Sequence, residues 1–190
     1  MRPKILTVLT LLFLLIGCSD SESESYSINE ITINDLSIHI AGDKSSKVTY
    51  GMTRSDAEKI LGKGESSKSF RNYYTYESDV SVLYREDIVV GITLGEESAN
   101  KFQTLRGAKV GILRDDFKKM YGEKFVVLEN NERYIDFVYD STTNEYITDI
   151  NSVPAQEDKT KTYMVSAMFD SNGYASIIMV QDRHAAINMR

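Results

Sequence analysis

One segment of this chain occurs twice. Residues 51–62 read Gly-Met-Thr-Arg-Ser-Asp-Ala-Glu-Lys-Ile-Leu-Gly, and sixty residues later 111–122 read Gly-Ile-Leu-Arg-Asp-Asp-Phe-Lys-Lys-Met-Tyr-Gly. Five of the twelve positions are identical: Gly51 with Gly111, Arg54 with Arg114, Asp56 with Asp116, Lys59 with Lys119 and Gly62 with Gly122. Apolar residues coincide too, at Met52 with Ile112, Ala57 with Phe117, Ile60 with Met120 and Leu61 with Tyr121. A buried pattern and a polar pattern that repeat together indicate one structural unit used twice.

The unit reads as a short capped helix. Thr53 has an N-cap side chain, and Asp56 three residues on can return the hydrogen bond while its charge suits the positive helix end. Ala57, Ile60 and Leu61 fall at i, i+3 and i+4, on one face. Gly62 then ends the helix, in the left-handed conformation that closes the last carbonyls. The second copy has Leu113 where Thr53 stands, so its cap comes from elsewhere, with Asp115 the nearest candidate. Gly62-Lys63-Gly64 is not a phosphate loop, lacking both the upstream glycine and the Ser or Thr after Lys.

The start of the chain carries an address. Arg2 and Lys4 precede an apolar run from Ile5 to Ile16, followed by Leu15-Ile16-Gly17-Cys18. This is an export-signal layout, too short for a membrane span of the mature fold. Cys18 is the single cysteine, which excludes an internal disulfide and a thiolate metal cluster. Residues 19–27, Ser-Asp-Ser-Glu-Ser-Glu-Ser-Tyr-Ser, have little to bury and read as a disordered tether. Its root-mean-square reach is roughly 16 Å. Net charge is -6, and -8 without Arg2 and Lys4, so no basic face is available to grip nucleic acid or anionic lipid.

Beyond the tether, Ile28, Ile31, Ile33, Leu36, Ile38 and Ile40 alternate with polar residues and predict one or two lead strands, with 42–46 a turn or loop. After the first helix, the runs 70–76, 80–84 and 88–94 are separated by short polar links, the pattern of an antiparallel meander. After the second helix come 125–128, 134–139, 163–169 and 174–180, with Asn172-Gly173 turning the last hairpin. That turn is not a calcium loop, because Met168 stands where the first acidic ligand belongs. Residues 140–162 are a polar insertion containing Pro154, either disordered or functional. Residues 98–105 read as a helical turn or as an extended linker. The expected fold class is α+β with two repeated units, each a short helix plus an antiparallel β-meander. The expected division is 1–17 signal peptide, 18–27 tether, 28–106 first unit with lead strands, and 107–190 second unit with the inserted loop.

Four resemblances follow from these residues. Leu15-Ile16-Gly17-Cys18 resembles the lipobox of bacterial lipoproteins, which implies a diacylglyceryl thioether on Cys18 and an extracytoplasmic chain held to the membrane by its acyl chains. Residues 51–62 resemble the helix signature of the small lipoprotein of the outer-membrane β-barrel assembly machinery, and the doubled unit resembles the fold of the β-lactamase inhibitor proteins. Residues 104–122 are similar to the second half-signature of uncharacterised Gram-positive lipoproteins with the same tandem layout. The implied role is a protein-binding module whose sheet faces a partner. The two motifs cap and end helices, so they carry over no activity. The absence of Trp departs from the aromatic-rich surfaces of the inhibitor proteins.

The chemistry-bearing residues favour binding over catalysis. His39 lies between Ile38 and Ile40, and His184 near the C-terminus; neither has a nucleophile context or a metal-ligand spacing. No catalytic residue, metal ligand or cofactor site is assigned. Arg54 and Arg114 recur in place, which points to pairing with a sheet or loop acid, or in the other reading to a ligand. Twelve tyrosines are present, eight in expected strands. Such rings suit protein-binding surfaces, though Tyr also simply favours strands. Aligning the copies at sixty residues sets Tyr134 opposite Tyr74, and places Tyr74, Tyr76 and Tyr134 on an exposed face as partner-binding residues. The expected function is therefore a noncatalytic protein-binding module of the cell envelope, anchored through Cys18, with a small-molecule or envelope-ligand sensor binding between the two units as the alternative.

Overall fold

The computed structural model describes residues 26–127, 133–149 and 158–188. Cys18 with its lipobox, the tether to residue 25, Leu128 and Pro154 lie outside them. The elements in chain order are β1 (Ser37–Ile40), β2 (Asp43–Thr49), α1 (Arg54–Leu61), β3 (Glu65–Ser66), β4 (Tyr73–Tyr76), β5 (Val80–Arg85), β6 (Ile88–Leu94), β7 (Phe102–Thr104), α2 (Arg114–Tyr121), β8 (Tyr134–Asp140), β9 (Glu145–Tyr146), β10 (Thr162–Phe169), β11 (Ala175–Asp182) and α3 (Arg183–Asn188). Short 3-10 turns occur at Ile33–Asp35, Glu77–Asp79, Glu96–Ser98 and Glu123–Phe125. The fold is α+β, with every strand pair antiparallel.

Two sheets form. The larger has eight strands in the order β3-β4-β5-β6-β11-β10-β8-β9, and the smaller the order β2-β1-β7. The seam of the large sheet is the pairing of β6 with β11, where Ile92 lies opposite Val180 and Leu94 opposite Ile178. All four side chains are buried, so the two halves share one continuous core. That core-facing surface continues through Val82 and Val80 on one side and Val165 and Ala167 on the other.

Both helices form for the reasons their residues give. In α1, Thr53 Oγ1 accepts from the Asp56 N–H at 3.2 Å and donates to Asp56 Oδ2 at 2.8 Å, while Ala57 and Leu61 are buried. In α2, Phe117 and Tyr121 are buried and Leu113 makes no side-chain cap bond. Phe117 packs at ring-centroid distances of 5.2, 5.9 and 6.0 Å from Tyr121, Phe137 and Phe169. Gly62 ends α1 at φ 84° and ψ -164°, a positive-φ extended conformation open in practice only to glycine, instead of the left-handed helical one expected.

The two recurring segments are held alike. Positions 51–61 and 111–121 have the same burial class at all eleven places. The Gly51 N–H donates to Val89 O, Arg54 N–H to Asp87 O and Val89 N–H to Met52 O; correspondingly, Gly111 N–H donates to Ala175 O, Arg114 N–H to Gly173 O and Ala175 N–H to Ile112 O. Each helix start is thereby tied to a hairpin, β5–β6 for α1 and β10–β11 for α2. Each hairpin bends at a register shift, between Leu83 and Tyr84 in one and between Met168 and Phe169 in the other.

Several local expectations are corrected. Residues 43–46 belong to β2, because the hairpin from β1 turns tightly at Ala41 and Gly42 and Asp43 pairs Ile40. Residues 98–105 contain β7, which pairs β1 and completes the small sheet. Residues 125–127 form a 3-10 turn end and a single bridge, Val126 to Phe137, with no full strand. The insertion contributes β9, where Tyr146 stacks on Phe125 at 3.9 Å.

Candidate binding surface

Cross-strand partners share a face, so register decides which side chains the large sheet presents. One face is the core described above. The other carries two rows across the halves: Tyr73, Leu83, Gly91, Gln181, Met164 and Val138, then Thr75, Ser81, Thr93, Met179, Ser166 and Asp136. Beyond them Met168 sits opposite both Ile177 and Tyr134. Tyr73, Leu83, Thr93, Met164, Met168, Ile177 and Met179 are half-buried, while Thr75 and Tyr134 are exposed. Unbranched, polarizable Met side chains beside Tyr and Ile make an adaptable apolar surface. At one edge a groove of about 310 Å³ is lined by Tyr73, Asp79, Ser81, Thr93, Glu96 and Ile177, among others.

The three tyrosines assigned to an exposed face do not lie together. Tyr134 is 43% exposed, Tyr74 is half-buried against the core, and Tyr76 is only 4% exposed. Tyr76 Oη lies 2.6 Å from Tyr84 Oη, and Tyr74 packs edge-on to Tyr84 at 5.6 Å. The cause is register. Tyr74 pairs with Val82 as Ile135 pairs with Ala167, so the counterpart of Tyr74 in the second half is Ile135, one residue beyond Tyr134. The sixty-residue offset that aligns the helices has slipped by one in the sheet, and a one-residue slip reverses the face. Tyr74 and Tyr76 accordingly take the core positions of Ile135 and Phe137.

Arg54 and Arg114 occupy matching places at the helix starts. The Arg54 guanidinium stacks over the Tyr74 ring at 3.6 Å, and its Nε donates to Glu58 Oε1 at 2.8 Å. Arg114 lies 5.4 Å from the Phe169 ring centroid, but the residue in Glu58's place is Lys118. Among the described residues, Arg114 Nε is the buried side-chain nitrogen or oxygen without a hydrogen-bond partner. Beside it Leu113 and Tyr174, joined by a main-chain bridge, are 44% and 47% exposed. Sequence reasoning missed this exposed pair. Its signal was the apolar Leu113 in a position where the other copy has a capping Thr.

A separate polar cluster sits where β2, β5 and β11 end. Asp182 is fully buried; it accepts from Tyr50 Oη at 2.7 Å, from Arg85 Nη2 at 3.0 Å and from the Ala185 N–H at 2.6 Å. Burial and the neighbouring carboxylate raise the Tyr50 phenol above its ordinary range. His184 Nδ1 lies 3.0 Å from Arg85 Nη2. The cluster caps α3 and ties three strand ends together, and every polar atom named in it has a protein partner, which is the arrangement of a structural lock. His39, in the small sheet, is buried with Nδ1 donating to Ile40 O at 3.0 Å. The two histidines thus lie in different elements, His39 in β1 of the small sheet and His184 in α3. Among the described residues no group of three or more His, Cys, Asp or Glu side chains is placed to hold a metal, and no helix is long and apolar enough to cross a membrane.

No family model, curated protein or solved structure matches this chain.

Proposed function

We propose that this chain is an extracytoplasmic lipoprotein, anchored to the cell membrane through lipidated Cys18, that binds a protein of the cell envelope without catalysing a reaction. Its two helix-plus-meander units form a tandem repeat joined edge to edge through β6 and β11, in the manner of the β-lactamase inhibitor fold. The observation that carries the reading is the second face of the large sheet, where Tyr73, Leu83, Met164, Met168, Ile177, Met179 and Tyr134 form a half-exposed apolar surface spanning both halves. Side chains of this kind, rigid aromatics beside flexible thioethers, supply contact area that adapts to a partner. The seam between the halves is filled by Ile92, Leu94, Ile178 and Val180, which favours this surface over a ligand site between the units. The acidic net charge suits neither nucleic acid nor anionic headgroups as the partner.

A photo-crosslinking residue at Met179 in the full chain, expressed in intact cells, tests the face. A discrete protein adduct is expected from Met179, lost when Met168→Glu is added and absent when the crosslinker replaces Lys47 on the small sheet. Adducts of equal yield from both positions sink the proposed face. Cys18→Ser tests the anchor: the chain should move from the membrane fraction to the soluble one, and retention in the membrane would overturn lipid anchoring.

A further inference from the structure

We infer that the corner of the molecule where the chain enters the fold from Cys18 rests on a lipid surface: Ile28 and Ile33, exposed beside that entry, touch the layer of zwitterionic headgroups, and the large sheet stands on its β9 edge. The inference rests on the lipid-anchored reading above and adds to it a contact surface and an orientation.

The length of chain outside the described fold, and the place where it ends, select this corner. Tyr26 follows Cys18 by eight residues, so even a fully extended chain sets them at most about 28 Å apart. The large sheet is wider than that, with seven strand spacings, about 34 Å, from β9 to β3. The entry point is also fixed to the fold. Arg106 Nη2 donates to Glu30 O and its Nε to Asp35 Oδ1, both at 2.6 Å, while Nη1 donates to Met120 O at 3.3 Å. The Arg106 and Asp35 side chains are buried, and Tyr146 Oη of β9 donates to Ile28 O at 3.3 Å. This clasp holds residues 28–35 against the end of α2 and against β9, so the anchor draws that corner to the membrane.

The clasped segment divides its apolar residues between two surroundings. Ile31 and Leu36 go to the core, whereas Ile28 and Ile33 are each 46% exposed. Charge decides which lipid they meet. Glu30 is exposed between them, and a Cβ on Gly122 would stand 3.3 Å from Ile28 O, which brings the exposed Glu123 and Lys124 to the same corner. Two acids against one base repel an anionic surface, so the contact is aliphatic and suits uncharged or zwitterionic headgroups. Two isoleucines are a weak contact for a free molecule. An anchored one presents them at an effective concentration in the millimolar range, which populates the contact once the acyl chains are inserted. The β3–β4 edge, with Tyr73 and the groove beside it, then stands farthest from the membrane, and the second face of the sheet rises from the surface open to a partner.

The test uses the full lipidated chain in phosphatidylcholine vesicles. Cys18 is the single cysteine and carries the lipid in this reading, so a thiol introduced by Asn29→Cys at the corner, or by Lys68→Cys between β3 and β4, takes a fluorophore alone. Both positions are exposed. A phospholipid spin-labelled on its headgroup should quench the label at 29 at least about threefold more than the label at 68, since the two edges stand about 34 Å apart. Ile28→Ser with Ile33→Ser should bring quenching at 29 down toward the value at 68 while the chain still floats with the vesicles. Ile28→Leu with Ile33→Leu should keep it. Adding phosphatidylglycerol should weaken quenching at 29. Equal quenching at 29 and 68, quenching at 29 that survives the double Ser change, or quenching that strengthens with phosphatidylglycerol overturns the contact. A wild-type chain that does not float with the vesicles overturns the lipid anchor and this inference together, whereas flotation with equal quenching refutes this inference alone.

Discussion

Tyr50 Oη and Asp182 Oδ2 meet at 2.7 Å across 132 residues of chain, and this bond joins the end of the small sheet to the end of the large one. Asp182 has no exposed surface and also holds Arg85 and the start of α3. Replacing it by Ala strips an acceptor from a phenol, a guanidinium and a main-chain N–H at once. Breaking a buried ion pair costs about 3–5 kcal/mol. Since the Arg85 side chain is 33% exposed and regains water, a loss of about 2–4 kcal/mol is expected. Urea denaturation measures it: a midpoint shift worth under about 0.5 kcal/mol, the range of a neutral surface change, would show that the lock carries no stability.

The two helix starts offer a paired experiment on capping. Thr53→Ala removes the side-chain acceptor of the Asp56 N–H and should cost about 1 kcal/mol. Leu113→Thr, at the matching place in α2, creates a cap where none exists and should stabilise by a similar amount, about 0.5–1 kcal/mol. Thermal denaturation of the two variants should therefore move in opposite directions. If Leu113→Thr also destabilises, Leu113 is packed into the fold and is not kept for a surface role.

Acid should loosen the β1–β2 hairpin at its turn. Hydrogen bonds from the Ser45 and Ser46 hydroxyls, and then from the Ser45 N–H, hold the Asp43 carboxyl down from the usual 3.8 to about 2. A carboxylate whose folded pKa is depressed favours the folded state above its unfolded pKa, and that contribution disappears as pH falls from about 3.8 through about 2. The Asp43 carboxyl carbon shift, followed by NMR, should titrate with a midpoint near 2, and amide exchange at 45 and 46 should quicken over the same interval. A midpoint at the usual 3.8 would show that the Ser45 and Ser46 contacts do not persist in solution.

Much of this architecture is readable in the residues that build it locally. Thr53 with Asp56, the spacing of Ala57, Ile60 and Leu61, and Gly62 define α1 without reference to anything distant, and the β5–β6 and β10–β11 hairpins follow from runs broken by short polar links. What the sequence conceals is long-range. β7 joins β1 through Ile38 opposite Thr104, a pairing that three residues of alternation in 102–104 cannot announce. Asp182 finds Tyr50 and Arg85 only once two sheets have closed on each other. The face proposed for binding was hidden by chemistry, because Met164, Met168 and Met179 are as suited to a core as to an adaptable surface. Tyr134 is exposed as expected, whereas Tyr74 and Tyr76 turn to the core through one residue of register, since the chain from α1 to β4 is one residue shorter than that from α2 to β8.

That register supplies the sharpest contrast between neighbouring tyrosines. Tyr76 lies in the core opposite Val80, hydrogen-bonded to Tyr84, whose phenol burial pushes up beyond its ordinary range. Tyr76→Ala opens a cavity and strands the Tyr84 hydroxyl, and aromatic truncations of this kind cost about 3–5 kcal/mol. Tyr134, 43% exposed at the start of β8, should tolerate the same change within about 0.5 kcal/mol. Tyr76→Phe separates the two parts of the core effect: it keeps the ring and removes one hydroxyl, so a loss of about 1 kcal/mol is expected. Equilibrium unfolding of the three variants measures the order directly. Equal stability of Tyr76→Ala and Tyr134→Ala would mean that Tyr76 faces solvent, and the pairing of Tyr74 with Val82 would then have to be moved by one residue.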